Sequence, residues 1–176
     1  MKTWFITGSS SGIGKGIAKA VLEKGDNAVI MARDAKKLDD LVQAYPERTL
    51  AVSLELTDKE SIRNAVKAAE ERFGSIDVLV NNAGHGYRAA VEEGEDESIK
   101  ELYRTNVFGP VELIRLILPQ MRKRKSGAII NLSSIAAVNS GVGSGYYAST
   151  KAALELLSDA LYQEVSPLGI KVMVVE

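Results

Sequence analysis

The sequence predicts a doubly wound α/β fold, a parallel β-sheet covered by helices on both faces. Three observations carry that prediction. Short apolar or β-branched runs alternate along the whole chain with longer segments of helical hydrophobic period. The short runs are continuously apolar rather than alternating in and out, the pattern of parallel strands buried on both sides. A glycine-rich turn joins the first run to an amphipathic helix. At 176 residues and 45% hydrophobic composition, a single domain spanning 1–176 is expected.

The elements follow in order. Trp4-Phe5-Ile6 is the first strand, and after the glycine turn Ile17, Ala18, Val21 and Leu22 mark one face of a helix over about 14–24. Ala28 to Ala32 is the second strand, with a helix expected at 36–44; Ala51 to Leu54 is the third. The helix at 58–73 is opened by the capping box Thr57-Asp58-Lys59-Glu60, with Thr57 as the cap. Val78 to Val80 precedes a long helical segment at 97–124, Ala128 to Leu132 a helix at 147–165, and Val172 to Val175 is the sixth strand. Pro110 interrupts the long segment: it has no N–H for the carbonyl of Asn106, so a kink is expected there, with that oxygen available to a water near Lys151. Glu92 to Glu97 and Arg122 to Lys125 are charge clusters that solvate a loop and a helix end.

Composition excludes several functions. Lys and Arg number 22 against 23 Asp and Glu, a net charge of -1 that gives no field for nucleic acid or an anionic membrane. No cysteine is present, which removes disulfides, thiolate nucleophiles and Cys-ligated zinc, and the single His85 removes multi-histidine metal sites. No metal is expected. No apolar run approaches the roughly 18 residues of a membrane span, so the chain reads as a soluble cytoplasmic protein. The Asn131-Leu132-Ser133 sequon lies in a strand and carries no meaning in that compartment.

The turn Gly8-Ser9-Ser10-Ser11-Gly12-Ile13-Gly14 points to a phosphate-bearing ligand. Glycines let the backbone approach a diphosphate, which the free N–H groups and dipole of the following helix bind. A P-loop would need glycine at Ser9 and Ser or Thr at Gly16, and fails at both. After the second strand comes Arg33-Asp34. Asp34, about twenty residues past the glycines, suits an acceptor for the ribose hydroxyls of NAD and equally an N-cap for the next helix. Arg33 at the strand end suits the 2′-phosphate of NADP, and NADP is favoured over NAD.

Ligands of such a sheet sit at the carboxyl ends of the strands, where Asn81-Asn82-Ala83-Gly84 and Ser133-Ser134 lie. His85 lines the pocket mouth or is an ordinary loop residue. Tyr147 and Lys151, four apart on one helix face, can share a site. A phenol ordinarily titrates near 10, and bringing one to about 7 takes roughly 4 kcal/mol of extra phenolate stabilisation. A neighbouring ammonium and an oxidised nicotinamide are physical sources of it. Tyr146 is the neighbour to be distinguished from Tyr147.

In this order and on these elements, Thr7-Gly8-xxx-Gly12-Ile13-Gly14, Asn81-Asn82-Ala83-Gly84, Asn106, Ser134 and Tyr147-xxx-Lys151 resemble the short-chain dehydrogenase/reductase family over the whole chain. The resemblance implies a Rossmann-type sheet of strand order 3-2-1-4-5-6 and an NAD(P)-dependent oxidoreductase acting on a small carbonyl or alcohol. It implies Tyr147 as proton donor or acceptor and Ser134, rather than Ser133, bonding the same oxygen. Lys151 would bind the nicotinamide ribose and favour the tyrosinate, and Asn106 would hold a relay water. The cofactor set it implies is Gly8, Ser10, Ser11, Gly12, Ile13, Gly14, Arg33, Glu55, Leu56, Asn82, Ala83, Gly84, Tyr147 and Lys151. Glu55 departs from the family's Asp, with a longer reach to the adenine. The competing class is a member that keeps the fold as a nucleotide-binding or inactive protein.

Members of the family continue past the point where this sequence ends, with a substrate-covering lid and a seventh strand. The sequence is therefore expected to be part of a longer chain. The alternative is a truncated form whose sixth strand offers an open edge. The helix at 147–165 carries Ala148, Ala152, Ala153, Leu156, Leu157 and Ala160, more than one core-facing stripe needs, and a homodimer or homotetramer through this helix and the one at 97–124 is expected.

Overall fold

A computed structural model describes residues 1–176. Six strands, β1 (Thr3–Ile6), β2 (Asn27–Ala32), β3 (Thr49–Ser53), β4 (Val78–Asn81), β5 (Gly127–Leu132) and β6 (Ile170–Val175), form one sheet in the order β3-β2-β1-β4-β5-β6. Every neighbouring pair is parallel. The helices are α1 (Gly12–Glu23), α2 (Asp39–Ala44), α3 (Lys59–Phe73), α4 (Asp96–Tyr103), α5 (Gly109–Arg124) and α6 (Gly145–Val165). The order turns back between β3 and β4, so β1 and β4 lie side by side with their crossovers leaving in opposite directions. That leaves a crevice above their carboxyl ends, the place an open α/β sheet offers a ligand.

Successive strand residues face opposite sides of the sheet. Phe5, Val29, Met31, Leu79 and Ile129 pack against α3, α5 and Leu161 and Val165 of α6. Ile6, Ala28, Ile30, Val78 and Val80 pack against α1 and α2. All six residues of β2 are buried, which explains its unbroken apolar run. The sixth strand departs from that pattern. Ile170, Val172 and Val174 are covered in part or whole, whereas Met173 and Val175 remain 57% and 39% exposed. They pair with Ile130 and Leu132 on the face of α1 and α2, neither of which reaches that far across the sheet. Within residues 1–176, covering on both faces is complete for the central strands and partial at β6.

Helix starts differ from expectation in ways the side chains explain. The cap of α3 is Asp58, whose carboxylate accepts from Glu60 N at 2.9 Å; Thr57 instead donates to Glu55, so the capping box is not formed. The helix expected at 36–44 opens as a 3-10 turn over Ala35–Leu38, capped by Asp34, and becomes α-helical only as α2. The kink expected near Pro110 takes the form of a π-helical turn, Arg104–Phe108, between α4 and α5. There Gly109 N donates to Arg104 O, five residues back, and Asn106 is brought inward within the widened turn.

Candidate active site

The turn after β1 is stitched to the segment after β4 by one threonine and one asparagine. Thr7 is buried, and its Oγ1 accepts from Asn82 N at 3.0 Å and Ala83 N at 2.9 Å. Asn82 Nδ2 donates in return to Thr7 O at 2.9 Å and Gly8 O at 3.1 Å. Packing this tight excludes side chains. Gly8 has φ +69° and a Cβ on it would stand 2.9 Å from Ala83 Cα; a Cβ on Gly14 would stand 2.3 Å from Gly8 O. Ser9 is also buried, donating to Ile6 O at 2.8 Å, and so belongs to the scaffold. Gly12 opens α1, and Ser11 at its N-cap makes no side-chain cap bond, with no acidic residue in the first turn. The first N–H groups of a 12-residue helix are thus left for an external acceptor, and their partial positive charge favours an anion.

This helix end opens into a cleft of about 610 Å³. Gly8, Ser10, Ser11 and Ile13 line one end; Arg33, Leu54, Glu55 and Leu56 the side toward β2 and β3; Asn82, Ala83, Gly84 and His85 the side toward β4, with Glu101 and Thr105 opposite. Arg33 is exposed at the tip of β2, and its carbonyl is held by Ser53 Oγ at 2.9 Å. The Asp34 carboxylate accepts from Lys36 N at 3.1 Å, the capping use that competed with ribose recognition. Glu55 Oε1 accepts from Thr57 N and Oγ1 at 3.1 and 3.0 Å, so this oxygen faces away along the chain. The uncapped helix, the glycine cradle and the basic side chain at the far end fit a dinucleotide laid along the cleft.

Tyr147, Lys151 and Ser134 lie beyond the cleft, joined to it through Gly84. A Cβ on Gly84 would stand 3.0 Å from Asn106 Oδ1 and 3.6 Å from Lys151 Nζ. Asn106 is buried by a reciprocal bond to the His85 backbone, Oδ1 accepting at 3.1 Å and Nδ2 donating at 2.9 Å. Nδ2 also donates to Thr150 Oγ1 at 3.1 Å, tying the π turn to α6. Lys151 is only 6% exposed; its Nζ donates to Leu132 O at 2.8 Å and lies 5.8 Å from the centre of the Tyr147 ring. Burial pulls the Lys151 ammonium below the usual lysine range. Ser134, two residues past β5, is half-buried and caps a 3-10 turn that packs on α6, its Oγ accepting from Ala136 N at 3.2 Å. Ser133 is bonded to Glu155 instead. The Tyr146 hydroxyl goes to Val91 O.

The roles of Thr7 and of a buried polar chain are not evident from residue spacing. Asn81 Nδ2 donates to Asn131 Oδ1 at 2.8 Å, and Asn131 Nδ2 to Ser158 Oγ at 2.8 Å, joining β4, β5 and α6 beneath the site. These asparagines do leave one signal in the sequence: a polar residue at or next to the carboxyl end of each of two apolar strands, at positions the register pairs.

Comparison with known proteins agrees with this geometry. The family described as short chain dehydrogenase matches residues 2–176. An oxidoreductase of Botryotinia fuckeliana, BOA17, is 40% identical over 176 residues, covering 99% of this chain and 64% of that protein. A short-chain dehydrogenase from Streptomyces avermitilis superposes with TM-score 0.97 at 47% identity, covering 99% of this chain and 64% of that one. The present chain thus spans less than two-thirds of the length of both. A metagenomic short-chain oxidoreductase in complex with NADP has TM-score 0.93 and 28% identity, covering 98% of this chain and 80% of its own. A 3-ketoacyl-(acyl-carrier-protein) reductase from Brucella melitensis complexed with NADH has 0.94 and 30%, covering 98% and 74%. A match running from residue 2 to residue 176, on a sheet of this order and a glycine turn of this shape, establishes that the chain belongs to the short-chain dehydrogenase family.

Proposed function

We propose that residues 1–176 form one domain of an NADP(H)-dependent oxidoreductase that interconverts a small carbonyl compound and a secondary alcohol, with Tyr147 as general acid/base. The observation that carries this reading is the Tyr147–Lys151 pair, with a buried ammonium 5.8 Å from the phenol ring, reached from the dinucleotide cleft across Gly84. A bound nicotinamide supplies or accepts the hydride. Tyr147 gives its proton to the carbonyl oxygen, or takes it from the carbinol, and Ser134 donates a hydrogen bond to that oxygen. Lys151 would hold the nicotinamide ribose beside the phenol. Asn106, whose side chain is consumed by His85 and Thr150, acts through its main-chain oxygen, which Pro110 cannot bond, and so holds the water that replenishes the proton.

Arg33 supports NADP over NAD. It is free at the cleft tip while the neighbouring Asp34 carboxylate is used as a cap. NADPH is expected to bind at least tenfold more tightly than NADH, about 1.4 kcal/mol, and Arg33→Ala to remove that ratio. Fluorescence titrations giving equal dissociation constants, or a ratio untouched by Arg33→Ala, would contradict it.

The substrate is a small molecule. No helix of the chain is long and apolar enough to cross a membrane, and a cytoplasmic location is part of this reading. A homodimer or homotetramer is also part of it: within residues 1–176, α6 leaves Leu156 73%, Leu157 46% and Tyr162 51% exposed, an apolar surface suited to a second copy. Light scattering at micromolar concentration should return a multiple of the chain mass; a 19.0 kDa particle would exclude the oligomer.

A further inference from the structure

We infer that Tyr146, the residue before the proposed acid/base, is a positioning residue that locks the segment 87–95 onto the start of α6 and thereby sets the fit of the carbonyl substrate. The inference rests on Tyr147 being the acid/base. Tyr146 turns away from the dinucleotide cleft. Its hydroxyl donates to Val91 O, and its ring lies so close over Gly94 that a Cβ there would stand 2.5 Å from Cε2. The ring is also 6.1 Å from that of Tyr87, whose hydroxyl accepts from Glu95 N at 2.9 Å. Ala89 N donates to Gly143 O at 3.1 Å, and Gly145 faces Val91, whose Cγ2 would lie in van der Waals contact, 3.5 Å, with a Cβ there.

The loop after β4 is thus fastened to the residues just before Tyr147 by side-chain and backbone contacts, with Tyr146 at the centre. On the other side, Ser149 Oγ donates to Tyr146 O at 2.7 Å and lies 2.7 Å from Tyr103 Oη. Thr150 Oγ1 donates to Tyr147 O at 2.7 Å. The helix turn bearing Tyr147 is therefore held against α4 and the π turn from one side and against 87–95 from the other. The first hold is made by residues next to the dinucleotide site. The second touches no residue of the cleft wall except through the chain that leads to His85, and so it bears on the surroundings of Tyr147 rather than on the dinucleotide cleft.

Tyr146→Phe keeps the ring and loses the bond to Val91; Gly94→Ala keeps Tyr146 and forces the ring off the loop. Both should raise the KM for a ketone or aldehyde substrate, by about fivefold for the loss of one hydrogen bond and by more for Gly94→Ala. NADPH affinity should stay within twofold of wild type and the pH profile of kcat should not move. Hydrogen exchange at the Ala89 and Glu95 amides should quicken while that of β1 and β4 is unchanged. A carbonyl KM unchanged in both variants, or an NADPH dissociation constant that rises in step with it, would overturn the inference. Tyr147→Phe is assayed alongside. If it retains turnover, the acid/base reading fails, while slow exchange at Ala89 and Glu95 in Tyr146→Phe would separately refute the coupling.

Discussion

Tyr147→Phe is expected to lower turnover by about three orders of magnitude while leaving NADPH affinity within a factor of two. Only the hydroxyl is lost. The ring stays in place beside Lys151 Nζ, and the cleft wall from Gly8 to Gly84 is untouched. General acid/base catalysis contributes roughly 10² to 10⁴ in rate, and this group is asked to supply the whole proton transfer. The loss should appear in kcat and in kcat/KM alike, as for an interaction made in the transition state. Steady-state kinetics on a ketone panel with fluorescence titration of NADPH would check it. Near wild-type turnover would remove Tyr147 from the chemistry.

Lys151→Met should abolish turnover, weaken NADPH at least tenfold, and yet make the folded protein more stable near neutral pH, by about 1 kcal/mol. The ammonium is buried with a single carbonyl partner and no carboxylate, so the folded state carries a desolvation cost that the unfolded chain does not. The sign with pH follows. Because burial holds Lys151 below the ordinary lysine value, the unfolded chain binds more protons than the folded one between the two, and stability rises with pH across that window. The cost is fully present below the folded value and relieved once pH exceeds the unfolded value near 10.4. The stability gained by Lys151→Met should therefore shrink as pH climbs toward 10. Denaturant melts of both proteins at several pH values would show it. A less stable variant, or a difference indifferent to pH, would count against a costly buried charge kept for function.

The parts of the site legible in the sequence are those whose chemistry depends on local spacing. The i, i+4 pair Tyr147–Lys151 is set by helix geometry, and the glycines at 8 and 14 by backbone approach, so residue order alone points to both. Contacts between distant segments leave no such mark. Nothing in the sequence tells that Thr7 binds the peptides of Asn82 and Ala83, or that Tyr146 reaches Val91. The fold itself is readable because β1, β2 and β4 are buried on both faces and their runs are unbroken. At β6 the apolar run is only partly covered by residues 1–176. At α3 two adjacent residues, Thr57 and Asp58, each qualify as the cap. The carboxylate takes the helix N–H, leaving the hydroxyl to Glu55.

The central claim, that a proton passes through Tyr147 as a hydride moves between NADP(H) and a carbonyl carbon, is tested most directly by isotope transfer. NADPH stereospecifically deuterated at C4 is incubated with a panel of aldehydes and ketones, using wild type and Tyr147→Phe, and the products are read by mass spectrometry. Deuterium at the carbinol carbon from one face of the cofactor with wild type, and its loss with Tyr147→Phe at saturating NADPH, is the expected result. Cofactor bound in the cleft with no label transferred to any carbonyl, or transfer that persists in Tyr147→Phe, would contradict it.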